Sequence, residues 1–317
     1  MTTGNTGPDI TVRAFSWDDL PALYDVMTRA GTAPFAYADA PVEAFERSLR
    51  QPRLSAESDI FVADSGERLE GWVRVDLEPN IRRAVASLGV DADVDAVTLR
   101  PRLLRVAHER AREAGADVMH VPMAATDDLM RMAGGSIGMT QSRVYVQMEY
   151  HPAPAYLQGD RRPIPDGFSP RPMDGLREAA LLTNLQNAAF EGMWGFAPNN
   201  VEEIEASLEL PGQGPEQVLF LDDSDGRAVA YVWTKFEPSE GMSVGYVGMV
   251  GVHPDYRGRG LGEVITANGI RLLRDQGAGV VKLEVDRDNK PARRIYRDLG
   301  FNPVSETIWY ELGLAPT

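Results

Sequence analysis

The chain has 317 residues, of which 43% are hydrophobic and 25% charged, and it contains no cysteine. This composition suits two folded domains and excludes disulfides, thiolate metal sites and covalent cysteine chemistry. The formal net charge of −15 argues against a nucleic-acid partner. No apolar run is long enough to cross a membrane. We therefore expect a cytoplasmic protein that binds neither nucleic acid nor a membrane.

The first eight residues have neither a basic start nor an apolar core. They differ from a secretory signal peptide, and we expect a flexible tail. The four histidines are dispersed along the chain without metal-ligand spacing, so no metal site is predicted.

A segment rich in proline and glycine follows at residues 151–167. Proline and glycine at this density interrupt both helices and strands. The sequence therefore predicts a linker here, an N-terminal domain over residues 1–150 and a C-terminal domain over residues 168–317.

An aromatic segment lies at residues 189–196, between two helix-like stretches. Its aromatic and acidic members are Phe190, Glu191, Trp194 and Phe196. Aromatic side chains in a loop favour a binding site, and an acid among them suits an ammonium group. We predict that this segment selects a substrate, with a plain packing loop between helices as the alternative.

Residues 252–262 carry the most functional information. They read Val-His-Pro-Asp-Tyr-Arg-Gly-Arg-Gly-Leu-Gly, between a strand-like run at 244–252 and a helix-like run from Leu261. Glycines allow backbone N–H groups to approach an anion closely, and a helix N-terminus adds a partial positive charge. The segment predicts a pyrophosphate site, and an ordinary glycine-rich turn is the alternative.

A second motif lies downstream, with the pattern Asn-x-x-Ala-x-x-x-Tyr-x-x-x-Gly-Phe from Asn289 to Phe301. Residues 283–289 indicate a strand that leads into a turn. Residues 292–299 indicate a short helix with a C-terminal glycine at Gly300. A last strand is predicted over residues 307–312.

The two halves of the chain repeat each other. Three glycine positions recur at an offset of 162 residues: Gly89, Gly115 and Gly138 match Gly251, Gly277 and Gly300. Several matches at one offset indicate a duplicated domain.

Only the second half keeps the glycine loop. The corresponding stretch of the first half contains three aspartates: Asp91, Asp93 and Asp95. Negative charge and side-chain bulk both oppose binding of a diphosphate. Gly134 also stands where the second half has Tyr296. We predict that the first half keeps the fold without the cofactor and serves packing, a cleft wall or dimerisation.

The order Val-x-Pro, then Arg-x-x-Gly-x-Gly, then the second motif resembles motifs A and B of the GCN5-related N-acetyltransferases (GNAT). The resemblance covers roughly residues 218–312. It implies an α/β (α+β) protein of two tandem GNAT-like domains, each a mixed, mostly antiparallel central sheet flanked by helices. The tandem form with a degenerate first half is similar to the mycothiol synthases, which carry a glutamate where this chain has Tyr246.

The resemblance implies acetyl-CoA (coenzyme A) as the cofactor. The implied cofactor-binding positions are Val250 and Val252 of the strand, Arg257, Gly258, Arg259, Gly260, Leu261 and Gly262 of the loop, and Asn289 and Tyr296 of the second motif. Asn289 also suits an ordinary turn or a helix N-cap before Pro291.

Acetyl transfer to an amine requires a proton acceptor for the amine and a proton for the departing thiolate. The resemblance implies Tyr296 as the general acid, with aromatic packing as the alternative. Glu284 is the first candidate for the general base, with a solvated strand glutamate as the alternative. Tyr246, acting through a bound water, is the second candidate.

The expected function is an acetyl-CoA-dependent N-acetyltransferase that acts on a primary amine of a small molecule or an aminoacyl-type substrate by direct attack in a ternary complex. The enzyme is expected to be a monomer or homodimer. Mycothiol synthase is the alternative within the enzyme class, and a non-catalytic acyl-CoA sensor or regulatory module is the alternative outside it. Tyr296 together with Glu284 favours catalysis, because a sensor needs neither.

Overall fold

The computed structural model describes residues 10–30, 42–152 and 163–314. The predicted tail at residues 1–8 and residues 153–162 of the predicted linker lie outside the described residues. The described helices are α1 (Leu20–Ala30), α2 (Val42–Leu49), α3 (Ala56–Asp59), α4 (Ala96–Glu113), α5 (Asp128–Ser136), α6 (Ala179–Phe190), α7 (Val201–Leu208), α8 (Leu261–Asp275) and α9 (Lys290–Asp298).

The described strands are β1 (Thr11–Ala14), β2 (Ile60–Asp64), β3 (Leu69–Glu78), β4 (Arg83–Val90), β5 (Val118–Ala124), β6 (Thr140–Tyr150), β7 (Ser169–Pro172), β8 (Val218–Asp222), β9 (Ala228–Glu237), β10 (Val244–Val252), β11 (Val280–Asp286) and β12 (Asn302–Gly313). No helix within the described ranges combines the length and apolar character that a bilayer span requires.

The chain forms two compact units. Unit 1 comprises Met1–Arg143 and Thr307–Thr317, and unit 2 comprises Val144–Glu306. Each unit therefore contains a strand from the other side of the predicted linker. The end of the chain supplies β12 to unit 1, and the segment before the linker supplies most of β6 to unit 2.

In unit 1 the described strands pair in the order β1-β2-β3-β4-β5-β12, and among them only the β4–β5 pair is parallel. The long helix α4 packs on one face of this sheet, where Val73, Leu103 and Leu104 are fully buried. The helices α1 and α2 pack on a second cluster around Phe45 and Trp72.

In unit 2 the order of the described strands is β6-β11-β10-β9-β8-β7, and the β10–β11 pair is the only parallel one among these. The helix α8 covers one face, with Ile265 and Leu273 in the core. The helices α6 and α7 cover the other face, where Tyr231 is fully buried. The prediction of a mixed, mostly antiparallel sheet flanked by helices is confirmed for both units.

The two parallel strands of unit 2 separate along their length. β10 and β11 pair only from Val244–Val280 to Tyr246–Lys282, although β10 runs on to Val252. An irregularity between Val247 and Met249 shifts the register of β10 against β9 at the same level. The sheet therefore opens into a cleft between the carboxyl halves of β10 and β11, directly before α8.

Candidate active site

The glycine loop lies at the end of β10 and leads into α8. Gly258 and Gly260 have left-handed φ values of +77° and +76°, and an added Cβ would meet nothing within 4 Å at either position. Gly260 is the N-cap of α8, and no described side chain caps this helix. The first backbone N–H groups of α8 therefore lie beside open space, which is a favourable site for an anion.

The other two loop positions, Leu261 and Gly262, adjoin the protein rather than open space. Leu261 is 1% exposed, so only its backbone is available to a ligand. A Cβ at Gly262 would contact Ile295 of α9 and Val252 of β10, each at 3.7 Å. These are ordinary van der Waals distances, so the structure leaves room for a Cβ at Gly262.

The two loop arginines bind the protein itself. The Arg257 guanidinium donates to the carbonyl of Ala189 at 2.8 Å and to that of Val252 at 3.4 Å. Arg259 donates to the carbonyl of Asp255 at 3.2 Å, and its guanidinium lies 4.8 Å from the ring centroid of Tyr256. Arg257 thereby ties the loop to the last turn of α6, a role that the sequence pattern did not indicate.

The strand positions before the loop present their backbone to the cleft edge. Val250 and Val252 pack with the core on the α8 side. Between them, a Cβ at Gly251 would lie 2.3 Å from the Tyr231 ring and 2.9 Å from Ala189. Packing against the α6 side is thus a sufficient reason for glycine at this position.

The second motif begins with a helix cap. The Asn289 side chain accepts a hydrogen bond from the backbone N–H of Ala292 at 3.2 Å and caps α9. The helix predicted over residues 292–299 is observed at Lys290–Asp298. The structure therefore gives Asn289 a structural role whether or not it also contacts a cofactor.

Tyr296 lies on α9 with its ring edge-on to the buried Phe301, at 6.1 Å between centroids. Burial raises the pKa of Tyr296 to about 12. The described residues provide no hydrogen-bond partner for its hydroxyl. A partly buried phenol without a protein partner is a proton donor available to a ligand.

Glu284 lies on β11 with an exposed side chain. Its neighbours Leu283 and Val285 are buried in the core beneath α8, so alternation places Glu284 on the α6 face. It pairs in register with Gln147 of β6. The predicted general base is therefore on β11 beyond the point where this strand separates from β10.

Tyr246 marks the closed end of the cleft, in register with Lys235 of β9 and Lys282 of β11. The Lys235 ammonium lies 5.9 Å from the Tyr246 ring centroid. Burial, followed by the charge of Glu237 and a hydrogen bond to it, raises the pKa of Tyr246 to about 12. This phenol is protonated at neutral pH.

The aromatic segment was predicted as a loop over residues 189–196, but Ala189 and Phe190 form the end of α6 and the loop follows them. Phe190 and Phe196 stack on each other at 5.3 Å, and Glu191 is exposed. Trp194 contacts Tyr145 of β6, with ring centroids 6.2 Å apart. The sequence reasoning missed Tyr145, because it precedes the linker and the strand exchange has no local pattern.

Within the described ranges, no group of three or more His, Cys, Asp or Glu side chains is arranged to hold a metal ion.

Comparison with known proteins identifies the class. Residues 180–301 match the model of the acetyltransferase (GNAT) family. The mycothiol acetyltransferase of Thermomonospora curvata is 34% identical over 92% of this chain and 94% of its own length. That of Segniliparus rotundus is 30% identical over 84% of this chain and 98% of its own length.

Solved structures have the same architecture. A tandem GNAT protein from the clavulanic acid biosynthesis pathway superposes with a TM-score of 0.74 at 18% identity, over 98% of this chain and all of the other. A GCN5-related N-acetyltransferase from Sphaerobacter thermophilus gives a TM-score of 0.72 at 18% identity, over 98% of each chain. The chain belongs to the acetyltransferase (GNAT) family and is an N-acetyltransferase of the tandem type.

Proposed function

We propose that the enzyme uses acetyl-CoA to acetylate a primary amine of a small molecule, by direct attack in a ternary complex, and that it binds one cofactor per chain. The observation that carries this proposal is the N-terminus of α8, which opens with left-handed glycines beside the separated strands β10 and β11.

The residues present fit a pyrophosphate-bearing cofactor. The open space at Gly258 and Gly260 admits an anion next to the first amides of α8. The backbone of Val250 and Val252 borders the cleft, and Asn289 and Tyr296 lie on the α9 side. Arg257 and Arg259 contribute positive charge near the loop while they hold its shape.

Acetyl-CoA, when bound, supplies an acetyl thioester, and the protein must then move two protons. Glu284 is the better base, because its carboxylate is on an exposed strand position. Tyr246 is the weaker candidate, since a phenol with a pKa of about 12 has almost no phenolate at neutral pH. Its role is better explained as acceptor binding.

Tyr296 is the proposed proton donor to sulfur. Its pKa of about 12 is well above the ordinary thiol value of about 8.5, so complete transfer to a free thiolate is unfavourable. A hydrogen bond from the phenol to sulfur as charge develops there is favourable, because the site is desolvated. We therefore expect Tyr296 to stabilise the leaving group chiefly by donating this hydrogen bond.

For the acceptor, we propose the amine that mycothiol acetyltransferases acetylate. Two relatives with that name match this chain over most of its length. The net charge of −15 favours approach of an amine in its ammonium form. We place the reaction in the cytoplasm, which fits a protein without cysteine.

The test is a thiol-release assay with acetyl-CoA, the acceptor of the mycothiol acetyltransferases and a panel of other primary amines. We expect release of one free thiol per acetylated acceptor, with the highest kcat/KM for the mycothiol precursor. Preference for another amine would refute the acceptor alone. Binding of acetyl-CoA without turnover on any amine would refute the proposed reaction.

A further inference from the structure

We infer that Arg257, although it lies in the glycine loop, is a positioning residue for the acceptor. Its guanidinium joins this loop to the end of α6 and thereby holds the α6–α7 loop (residues 191–200) across the cleft. The inference rests on the proposed function and on the predicted role of residues 189–196 in acceptor selection. Arg257 then serves the acceptor, whereas the sequence pattern assigned it to the cofactor.

Arg257 binds the C-terminal end of α6. The last four carbonyls of a helix have no partner within the helix, and the helix dipole favours a cation beside them. The Arg257 Nη2 donates to one of these carbonyls, that of Ala189, at 2.8 Å, while its Nε donates to the carbonyl of Val252 at 3.4 Å. One guanidinium therefore fixes the end of α6 against the end of β10.

The end of α6 lies on the part of β10 that borders the cleft. A Cβ added at Gly251 would lie 2.9 Å from the Ala189 side chain. Gly251 lies beyond Tyr246, where the pairing of β10 with β11 ends. The α6–α7 loop therefore starts beside the separated half of β10.

The α6–α7 loop then reaches the strand on the other side of β11. Trp194 contacts Tyr145 of β6, with ring centroids 6.2 Å apart. Tyr145 is in register with Asp286, at the carboxyl end of β11. Because β11 lies between β6 and β10, residues 190–194 cross the carboxyl end of β11 and the gap that separates it from β10. From this face, an acceptor reaches the cleft beside this loop.

Two further contacts hold the shape of the α6–α7 loop. The Asn187 side chain donates to the carbonyl of Asn199 at 2.8 Å and accepts from its backbone N–H at 3.0 Å. Phe190 and Phe196 stack with their centroids 5.3 Å apart. These contacts tie the loop to itself and to α6, and Arg257 adds the connection to the glycine loop.

The experiment compares Arg257→Gln and Asn187→Ala with wild type, using the amine that gives the highest kcat/KM in the thiol-release assay. We expect the KM for this amine to rise about tenfold in Arg257→Gln and about threefold in Asn187→Ala, because each change releases one attachment of the loop. The dissociation constant of acetyl-CoA, from titration calorimetry, should stay within about threefold in both. Asn187→Ala leaves the glycine loop intact and keeps the test valid should Arg257→Gln impair folding.

Arg259→Gln is the matched comparison for charge. It removes the same charge from the same loop, but Arg259 donates to the nearby carbonyl of Asp255. Its effect should fall on acetyl-CoA and leave the KM for the amine within about twofold of wild type. Arg257→Lys keeps the charge but lacks the planar fork that donates to two carbonyls, so this variant should still raise the KM for the amine.

Hydrogen exchange gives a readout that does not depend on activity. In the ligand-free protein, the backbone N–H groups of Met193 and Phe196 donate within the loop segment 190–196. The peptide over residues 191–200 should exchange several-fold faster in Arg257→Gln than in wild type, with α4 of unit 1 unchanged.

Two results would overturn the inference: unchanged exchange of this peptide, or a tenfold loss of acetyl-CoA affinity in Arg257→Gln with an unchanged KM for the amine. Absence of acetyl transfer in the wild type would instead refute the proposed function, and the exchange measurement would still test the connection made by Arg257.

Discussion

The two units differ at the N-terminus of the helix that follows the first parallel strand, α4 in unit 1 and α8 in unit 2. In unit 1 the N-cap of α4, the helix after the parallel strand, is Asp95, whose carboxylate accepts from the amides of Val97 at 3.1 Å and Thr98 at 3.3 Å. In unit 2 the N-cap of the corresponding helix α8 is Gly260, and no side chain among the described residues caps this helix. Unit 1 thus satisfies its helix N-terminus with its own carboxylate, whereas the N-terminus of α8 in unit 2 has no such cap among the described residues.

Unit 1 also closes the region next to this helix. Arg100 of α4 forms an ion pair at 2.6 Å with Asp127, the residue that caps α5. Gly134 stands at the position that corresponds to Tyr296 in unit 2. A Cβ added at Gly134 would lie within 3.6 Å of the Met123 and Met139 side chains. Unit 1 therefore keeps the fold while its own side chains fill the region that is open in unit 2.

The framework away from this region is the same in both units. Each unit has an arginine that bridges two acids, on β1 in unit 1 and on β7 in unit 2: Arg13 to Asp19 and Asp64, and Arg171 to Glu178 and Asp222. An aromatic ring also lies over a glycine of the parallel strand in each unit, Trp72 at Gly89 and Tyr231 at Gly251. The bridging arginine and the ring over the glycine are thus common to both units, which differ at the N-terminus of the helix after the parallel strand.

The largest expected effect comes from placing an aspartate at the N-cap of α8, where unit 1 has one at the N-cap of α4. Gly260→Asp should weaken acetyl-CoA binding by at least about 10²-fold, because the carboxylate occupies the α8 amides and repels pyrophosphate. Titration calorimetry should find one site per chain in wild type and none in the variant.

The matched control for that change is Gly277→Asp. Gly277 has a φ of +96° and open space around it, and it lies beyond the other end of α8. This variant has comparable backbone strain without a carboxylate at the loop, so its affinity for acetyl-CoA should equal that of wild type. Equal losses in both variants would mean that strain, rather than anion competition, controls binding.

Tyr296→Phe tests the side chain that unit 1 replaces with Gly134. We expect kcat to fall by about 10²-fold while the affinity for acetyl-CoA is unchanged, because only the hydroxyl is lost. Since the pKa of Tyr296 is about 12, wild-type activity should show no decrease from this group between pH 7 and pH 10. Tyr310→Phe in unit 1 is the control and should retain full activity.

Glu284→Gln should have a smaller effect, about tenfold on kcat near pH 7. The deficit should shrink as the pH rises, because more of the amine is then neutral without help from the enzyme. Glu240→Gln, on the exposed turn between β9 and β10, is the control. A deficit that is independent of pH would assign Glu284 to acceptor binding instead.

Local elements of unit 2 were predictable because each has a local cause. The strand predicted at residues 244–252 is observed there, and α8 begins at Leu261 directly after the glycines. Asn289 caps α9, which the sequence suggested from the proline that follows it. Helix caps and strands with alternating apolar residues are determined by residues a few positions apart, so they can be predicted from the local sequence.

Contacts between distant segments were not predictable in this way. Arg257 was assigned to the cofactor, although its guanidinium binds the carbonyl of Ala189, which is 68 residues away. Tyr145 lies on a strand whose apolar alternation is compatible with either sheet, and only the β6–β11 register places it in unit 2. The choice of a partner strand depends on the whole packing arrangement rather than on the strand's own pattern.

The smallest expected effect tests the cap of unit 1. Hydrogen bonds from Thr98 lower the pKa of Asp95 below its ordinary value of 3.8. Its ionised form therefore stabilises the folded state above the unfolded pKa, and this contribution is lost as the pH falls through the lower folded pKa. Asp95→Ala should lower Tm slightly at pH 7, and the difference from wild type should narrow below about pH 4.

Asp95→Asn separates the cap from its charge. Asparagine caps helices about as well as aspartate, so this variant should keep most of the stability at pH 7 and show less change in acid than wild type. Acetyl transfer should be unaffected in both variants, because the site is assigned to unit 2. A second acetyl-CoA site in Asp95→Ala would mean that the carboxylate alone prevents binding in unit 1. We expect one site, because the Arg100–Asp127 ion pair still joins α4 to α5.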